Sequence, residues 1–168
     1  MSLRYKFQKA EKIRQYLDNA QTKRLDQICA EIQSAQRKLN QKALKKLNGC
    51  FKDCQGLCCR NVLPDDLITQ MDALYVWEKL PSMRPRIKKC LQHESLFTAD
   101  CFFLEDGVGP CIFPADVRPE KCLITFCGDT AVIQKEIRNV RYQLNKLYRF
   151  IIIQNLKMAL GLFFQKDR

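Results

Sequence analysis

The sequence predicts a mainly α-helical protein. Long N- and C-terminal amphipathic helices, packed as an antiparallel pair, flank an irregular cysteine-rich module with short helices. Three observations carry that reading. Apolar residues recur at steps of three and four at both ends of the chain. Glycine and proline are scarce, six of each, and crowd the middle. Most of the ten cysteines sit in that same middle. At 168 residues the chain can bury a core without cross-links. Its 46% hydrophobic and 28% charged residues are those of a globular protein and argue against disorder.

Residues 1–48 form a basic helical segment. They contain neither Gly nor Pro and are rich in Lys, Gln, Ala, Leu and Arg, all good helix formers. Apolar residues fall at Ile13, Leu17 and Ala20, then at Ile28, Ile32, Ala35 and Leu39. Leu25 is out of phase, which places a bend or break near Gln21–Leu25. Asn48-Gly49 is a good helix stop. Residues 49–128 hold all six prolines and both cysteine groups. The best helix there is Pro64 to Leu80, with Pro at the first turn, Asp65 and Asp66 at the positive end of the dipole, and Pro81 as the stop. Residues 129–168 return to helix, capped by Asp129 or Thr130. Their stripe runs Ile133, Ile137, Val140, Leu144, Leu147, Ile151 and on through Met158 and Leu162. The two terminal stripes fit each other. A homodimer interface is the other use for them.

The N-terminus has no continuous apolar stretch of the kind a secretory signal carries. The most apolar region, Phe150 to Phe164, is interrupted by Gln154, Asn155 and Lys157, and falls short of the ~18 apolar residues a membrane span needs. The expectation is a cytoplasmic protein with no membrane span. Thiols stay reduced in that compartment, so clustered cysteines point to metal or redox chemistry before a disulfide framework.

The net charge of +11 is not spread evenly. Residues 1–48 carry +8, residues 49–128 carry −2 and residues 129–168 carry +5. The plain reading is a solvated face on two surface helices. An acidic protein or nucleic-acid partner is the other, although no aromatic cluster with basic neighbours suggests a base-stacking platform. Thiolates that bound divalent ions would make the middle module more acidic still, and basic helices would offset that field.

The first cysteine group is Cys50, Cys54, Cys58 and Cys59; the second is Cys101, Cys111, Cys122 and Cys127. Steps of three or four residues let one tight turn direct several thiolates at one ion. Zinc takes four such ligands in a tetrahedron, and an iron–sulfur cluster also takes four cysteines. Eight suit two mononuclear sites, one multinuclear site, or one four-cysteine site with spare thiols. The adjacent side chains of Cys58 and Cys59 diverge, so they face different ions, or one ligates while the other packs. Cys29 lies beside the first stripe and reads as a small core residue. Cys90 is assigned no role, and His93 reads as an ordinary loop or surface residue.

These residues resemble the YkgJ-type cysteine-cluster proteins, whose shared region is described as zinc- or iron-chelating. The opening group ends in the Cys58-Cys59 pair followed by Arg60. The closing part reads Cys101-Phe-Phe-Leu-Glu-Asp-Gly, then Cys111-Ile-Phe, Arg118-Pro119, Cys122 and Cys127. The likeness covers about residues 50–127. Its one departure is the three residues between Cys50 and Cys54, where the family often has two. The resemblance implies metal binding by zinc or iron, with all eight cysteines as ligands. Arg118 would donate hydrogen bonds to thiolates, as groups just outside a metal's ligand shell do, and Pro119 would turn the chain back toward Cys122. Some related proteins join such a cluster to protein lysine N-methylation. This chain has no Gly-rich loop after a strand for S-adenosylmethionine, and no Ser/His/Asp set. Any activity would depend on the metal.

Overall fold

Ser2 opens the first helix by accepting a hydrogen bond from the Tyr5 amide at 3.4 Å, and α1 runs Leu3–Tyr16. The computed structural model describes residues 1–47, 59, 62–92, 101–105, 110–126 and 129–164, with side chains through residue 157. Leu17 is extended, and Asp18 restarts the chain with a capping box. Its carboxylate accepts from the Gln21 amide at 2.7 Å, and the Gln21 side chain accepts from the Asp18 amide at 3.1 Å. Helix α2 then runs Asn19–Lys46. The break therefore precedes the stutter in the stripe, because a good cap lies there. Ala20 is exposed rather than part of the stripe.

The helix expected over Pro64 to Leu80 is two helices. α3 is Pro64–Leu67 and α4 is Gln70–Lys79. Ile68 is extended, and Thr69 caps α4 in a second box with Asp72. A 3-10 turn at Pro81–Met83 leads into α5, Arg84–Gln92. α6 is Glu120–Ile124. A 3-10 turn at Ala131–Ile133 starts the last and longest helix, α7, Gln134–Phe164. Among the described residues there are seven α-helices, and the only β pairing is an isolated antiparallel bridge between Leu104 and Cys111.

α2 packs along α7 in the most extensive contact of the fold. The two run antiparallel, since Glu31 meets Lys146 at 2.7 Å while Lys42 meets Glu136 at 2.9 Å. Between them lie Ile28, Ile32, Ala35 and Leu39 from one helix and Ile137, Val140, Leu144, Leu147 and Ile151 from the other, all buried. α1 packs on α4, with Phe7 6.0 Å from Trp77 between ring centroids and Arg14 paired to Glu78 at 3.1 Å. α4 is buried all round at Ala73, Leu74, Tyr75, Val76 and Trp77, and it touches α1, α2 and α7. A helix apolar on every side belongs in the middle of a core, and α4 is that helix here. The ammonium of Lys6, itself buried, binds the carbonyls of Asp65 and Ile68, and Lys121 binds that of Asp66 at 2.8 Å. Two cations thus satisfy the open carbonyl end of α3.

Three carboxylates fix the outer face of α2. Glu31 and Glu136 are held below the usual carboxylate range by hydrogen bonds from Lys146 and Lys42. Burial pulls Asp116 upward, but hydrogen bonds from Arg37 and Gln33 outweigh it and leave its carboxyl low. A depressed folded-state pKa stabilises the fold above the unfolded value, about 4, and that contribution is lost as pH falls through the folded value. Thermal unfolding followed by circular dichroism is therefore expected to shift to lower temperature below about pH 4. A Glu31→Gln/Glu136→Gln variant should show a smaller acid-induced drop than the parent. An equal drop would remove the two ion pairs as its cause.

Candidate functional site

The described cysteines of the two groups are carried by three separate pieces of the described backbone, with Cys111 and Cys122 on the same one. Cys59 lies beside Cys101, whose amide donates to the Cys59 carbonyl at 3.0 Å. A tight turn follows, with Leu104 donating to the Cys101 carbonyl at 3.0 Å. The chain then doubles back: Ile112 donates to Phe103 at 2.8 Å and Glu105 to Pro110 at 2.9 Å. This small hairpin places Cys101 at the start of one limb and Cys111 on the other. Aromatic packing anchors it to the core. Phe103 sits 4.7 Å from Phe113 and 6.3 Å from Phe7 of α1.

The segment after the hairpin is held by a polar stripe on α2. Gln36, fully buried, pairs both ends of its amide with one residue: it donates to the Arg118 carbonyl at 2.9 Å and accepts from the Arg118 amide at 3.0 Å. Gln33 and Arg37 bind the Asp116 carboxylate at 2.9 and 2.7 Å, and Asn40 binds the Ala115 carbonyl. The Tyr75 hydroxyl donates to the Asp116 carbonyl at 3.1 Å. Asp72 then accepts from the Glu120 amide at 2.8 Å and so starts α6, the short helix that carries Cys122.

The result is a neighbourhood of sulfurs. Burial, with the nearby Cys111, Cys59 and Cys90, pushes the Cys101 thiol up to about 12, against an opposing hydrogen bond from the Phe103 amide. Burial pushes the Cys122 thiol up as well, followed by Cys101, Cys111, Cys59 and Asp72. Cys59, Cys101, Cys111 and Cys122 are thus within electrostatic reach of one another, and Cys90 of α5 reaches Cys101. No spacing in the sequence announces Cys90; only the docking of α5 brings it there. Cys29, by contrast, is fully buried in the α2 face, as its place beside the apolar stripe implied.

Among the described residues, no three Cys, His, Asp or Glu side chains converge as a group that could hold a metal ion. Cys50, Cys54, Cys58, Cys127 and His93 lie outside the described residues. The chemistry of the donor set nonetheless fits a soft or borderline cation. Cys101 is buried and Cys59, Cys111 and Cys122 are half-buried, and ionising more than one of these thiols would require positive charge among them. The guanidinium of Arg118 donates through Nε to the Phe113 carbonyl at 3.4 Å, inside the same hairpin.

Sequence reasoning missed Asp72 and the stripe Gln33, Gln36, Arg37 and Asn40. The Thr69-to-Asp72 spacing is a legible capping box, and the i, i+3, i+4, i+7 spacing of the stripe is a helix face, but one that composition assigns to solvent. No protein-family model, no curated protein and no solved structure matches this chain.

Proposed function

We propose that this chain binds zinc or iron through its cysteines, as the likeness to YkgJ-type proteins implies. Cys59, Cys101, Cys111 and Cys122 form the heart of the donor set, and Cys50, Cys54, Cys58 and Cys127 complete it. The observation that carries the reading is the hydrogen bond from the Cys101 amide to the Cys59 carbonyl at 3.0 Å, which sets a cysteine of the early group beside one of the late group, with Cys111 bridged to Leu104 on the facing limb. A cysteine that serves only as a small apolar residue needs no second thiol beside it. Cys59, Cys101 and the stretch with Cys111 and Cys122 come from three separate backbone pieces. The module they occupy is held against the helices at α2 and α4. Arg118 would donate to thiolates from a backbone clamped by Gln36. The role is metal handling or a redox step in the cytoplasm, on behalf of a protein partner.

A second reading keeps the metal as a purely structural zinc and gives the work to the basic helices. One observation favours it: a groove of about 590 Å³ between α2 and α7 lined by Lys38, Lys45 and Lys135, and by Lys42 paired to Glu136. Its ligand would be acidic.

Elemental analysis and visible absorption of anaerobically purified full-length chain test both. Stoichiometric iron with a brown colour that fades in air supports the iron–sulfur form, and colourless protein with stoichiometric zinc supports the zinc form. Cys101→Ser and Cys122→Ser are expected to lower metal affinity at least about tenfold, and Arg118→Ala by about 10–100-fold. Cys29→Ser should leave it unchanged. A chain that carries no stoichiometric metal after anaerobic purification, and takes up neither zinc nor ferrous iron on titration, refutes the proposal.

A further inference from the structure

From Tyr142 to Leu156, α7 is apolar on two faces. Its inner face buries Leu144, Leu147 and Ile151 against α2. Its outer face leaves Tyr142 60%, Tyr148 47%, Ile153 50% and Leu156 57% exposed, with Ile152 at 37% beside them. Residues 149, 153 and 156 follow helical spacing, so Ile153 and Leu156 form one ridge with Arg149 at its head. An ordinary surface helix turns charge toward water on that side. This one turns isoleucine and leucine.

The charge that α7 itself carries around the ridge is of one sign. From Ile137 to Lys166 the sequence has six Lys/Arg and no Asp/Glu. Arg149 and Lys157 are exposed on the helix itself, and Arg24 is exposed across a groove of about 550 Å³ that Ile153 and Phe150 also line. Lys146, paired with Glu31 of α2, lies over the Tyr142 ring at 5.1 Å, so among the described residues the cations at the ridge outside an ion pair are Arg24, Arg149 and Lys157. Among the described residues no helix is long and apolar enough to cross a membrane.

We propose that this face docks the protein onto the surface of an anionic lipid bilayer, with α7 lying in the interface rather than spanning it. Ile152, Ile153 and Leu156 enter the boundary between headgroups and acyl chains. Tyr142 and Tyr148 sit at headgroup level, and Arg24, Arg149 and Lys157 meet lipid phosphates. Charge decides between occupants. A second copy of the chain placed on this face by a two-fold axis would set Arg149 and Lys157 against themselves, in a protein of net charge +11. An anionic surface turns the same residues into attraction. The exposed aliphatic ridge favours lipid over an acidic protein, which would leave Ile153 and Leu156 without apolar cover.

Co-sedimentation of the full chain with vesicles tests this. Binding is expected to phosphatidylcholine vesicles containing phosphatidylglycerol, and little to phosphatidylcholine alone, with a steep loss as salt rises. Ile153→Glu/Leu156→Glu should lower the partition by about tenfold or more, and Arg149→Gln/Lys157→Gln should lower it only on the anionic vesicles. All these positions are exposed, and circular dichroism checks that each variant keeps its helicity. No binding to anionic vesicles at low salt overturns the proposal, as does undiminished binding by both variants. A dimer that Ile153→Glu/Leu156→Glu dissolves assigns the face to a second copy, and binding of polyglutamate without vesicle binding assigns it to an acidic polypeptide. Either outcome also overturns it. Metal content does not enter this readout, so it stands or falls apart from the cysteine reading.

Discussion

Replacing Asp72 with alanine is expected to destabilise the protein by about 2–4 kcal/mol and to release α6 with Cys122. The carboxylate is 1% exposed and serves two helices at once. One oxygen accepts from the Thr69 amide at 2.9 Å and the Thr69 hydroxyl at 2.6 Å, closing the cap of α4. The other accepts from the Glu120 amide at 2.8 Å and caps α6. Truncation removes the partners of two backbone N–H groups, and an unsatisfied buried donor costs about 1–3 kcal/mol. Part of that is returned. Burial pushes the Asp72 carboxyl above its ordinary range, with the hydrogen bonds from Thr69 and Glu120 opposing, so removing the group also relieves a desolvated charge. Asp72→Asn keeps the shape but points an NH₂ group at one of the two amides, and is expected to recover only part of the loss. The readout beyond stability is thiol chemistry: Cys122, half-buried in the parent, should react faster with an aromatic disulfide reagent in Asp72→Ala than in a Thr69→Ala variant, which loses the α4 cap alone. Equal reactivity in the two would mean that α6 is held by something other than this carboxylate.

The long terminal helix was legible because its partner face is written as a period. Ile133, Ile137, Val140, Leu144, Leu147 and Ile151 are all buried, and nothing in that stretch competes with the 3.6-residue repeat. The breaks at Leu17 and Ile68 were less legible, for a local reason. A capping box made of Asp18 and Gln21, or of Thr69 and Asp72, is a polar feature inside helix-favouring composition, and periodicity does not see it. α4 was hidden differently. Its Ala-Leu-Tyr-Val-Trp run has no polar side from which to infer an orientation, so its place at the centre of the core follows only from what packs around it. Gln36 shows the converse. A glutamine on a helix reads as solvated until the loop it clasps is folded against it. The placement of Cys59 beside Cys101, and of Cys111 and Cys122 on the segment that follows, rests on these devices: the hairpin bonds, the α2 stripe and the Asp72 cap are what bring the segments together. Cysteine spacing alone left their partition among sites open.

Chelation should separate the metal-dependent part of the molecule from the part that stands by itself. The segments 101–105 and 110–119 contain no regular helix and are held by the hairpin bonds, the Phe103–Phe113 contact and the α2 stripe. α1, α2, α4 and α7 share a core made chiefly of aliphatic and aromatic side chains, to which these helices add one cysteine, Cys29, that lies outside both cysteine groups. A structural metal supplies folding energy directly, about 10–16 kcal/mol for zinc in isolated zinc-finger peptides. If the thiols hold a metal as proposed, the aromatic anchors and the clasp would remain once it is removed, so the expected loss is smaller, on the order of a 10 °C fall in Tm for a chain of this size. Hydrogen exchange should localise it. Amides of residues 101–105 and 110–126 are expected to lose protection after treatment with a strong chelator, while those of α2, α4 and α7 keep theirs and far-UV ellipticity falls only slightly. The Gln36→Leu variant sharpens the test. It strips the Arg118 amide and carbonyl of their partner, so the segment between the hairpin and α6 should depend more heavily on the metal, and the chelator-induced drop in Tm should be larger than in the parent. Complete metal removal, verified by elemental analysis, with no change in Tm or in the protection of residues 101–126, would show that the thiols meet for packing alone and would end the case for a metal centre in this region.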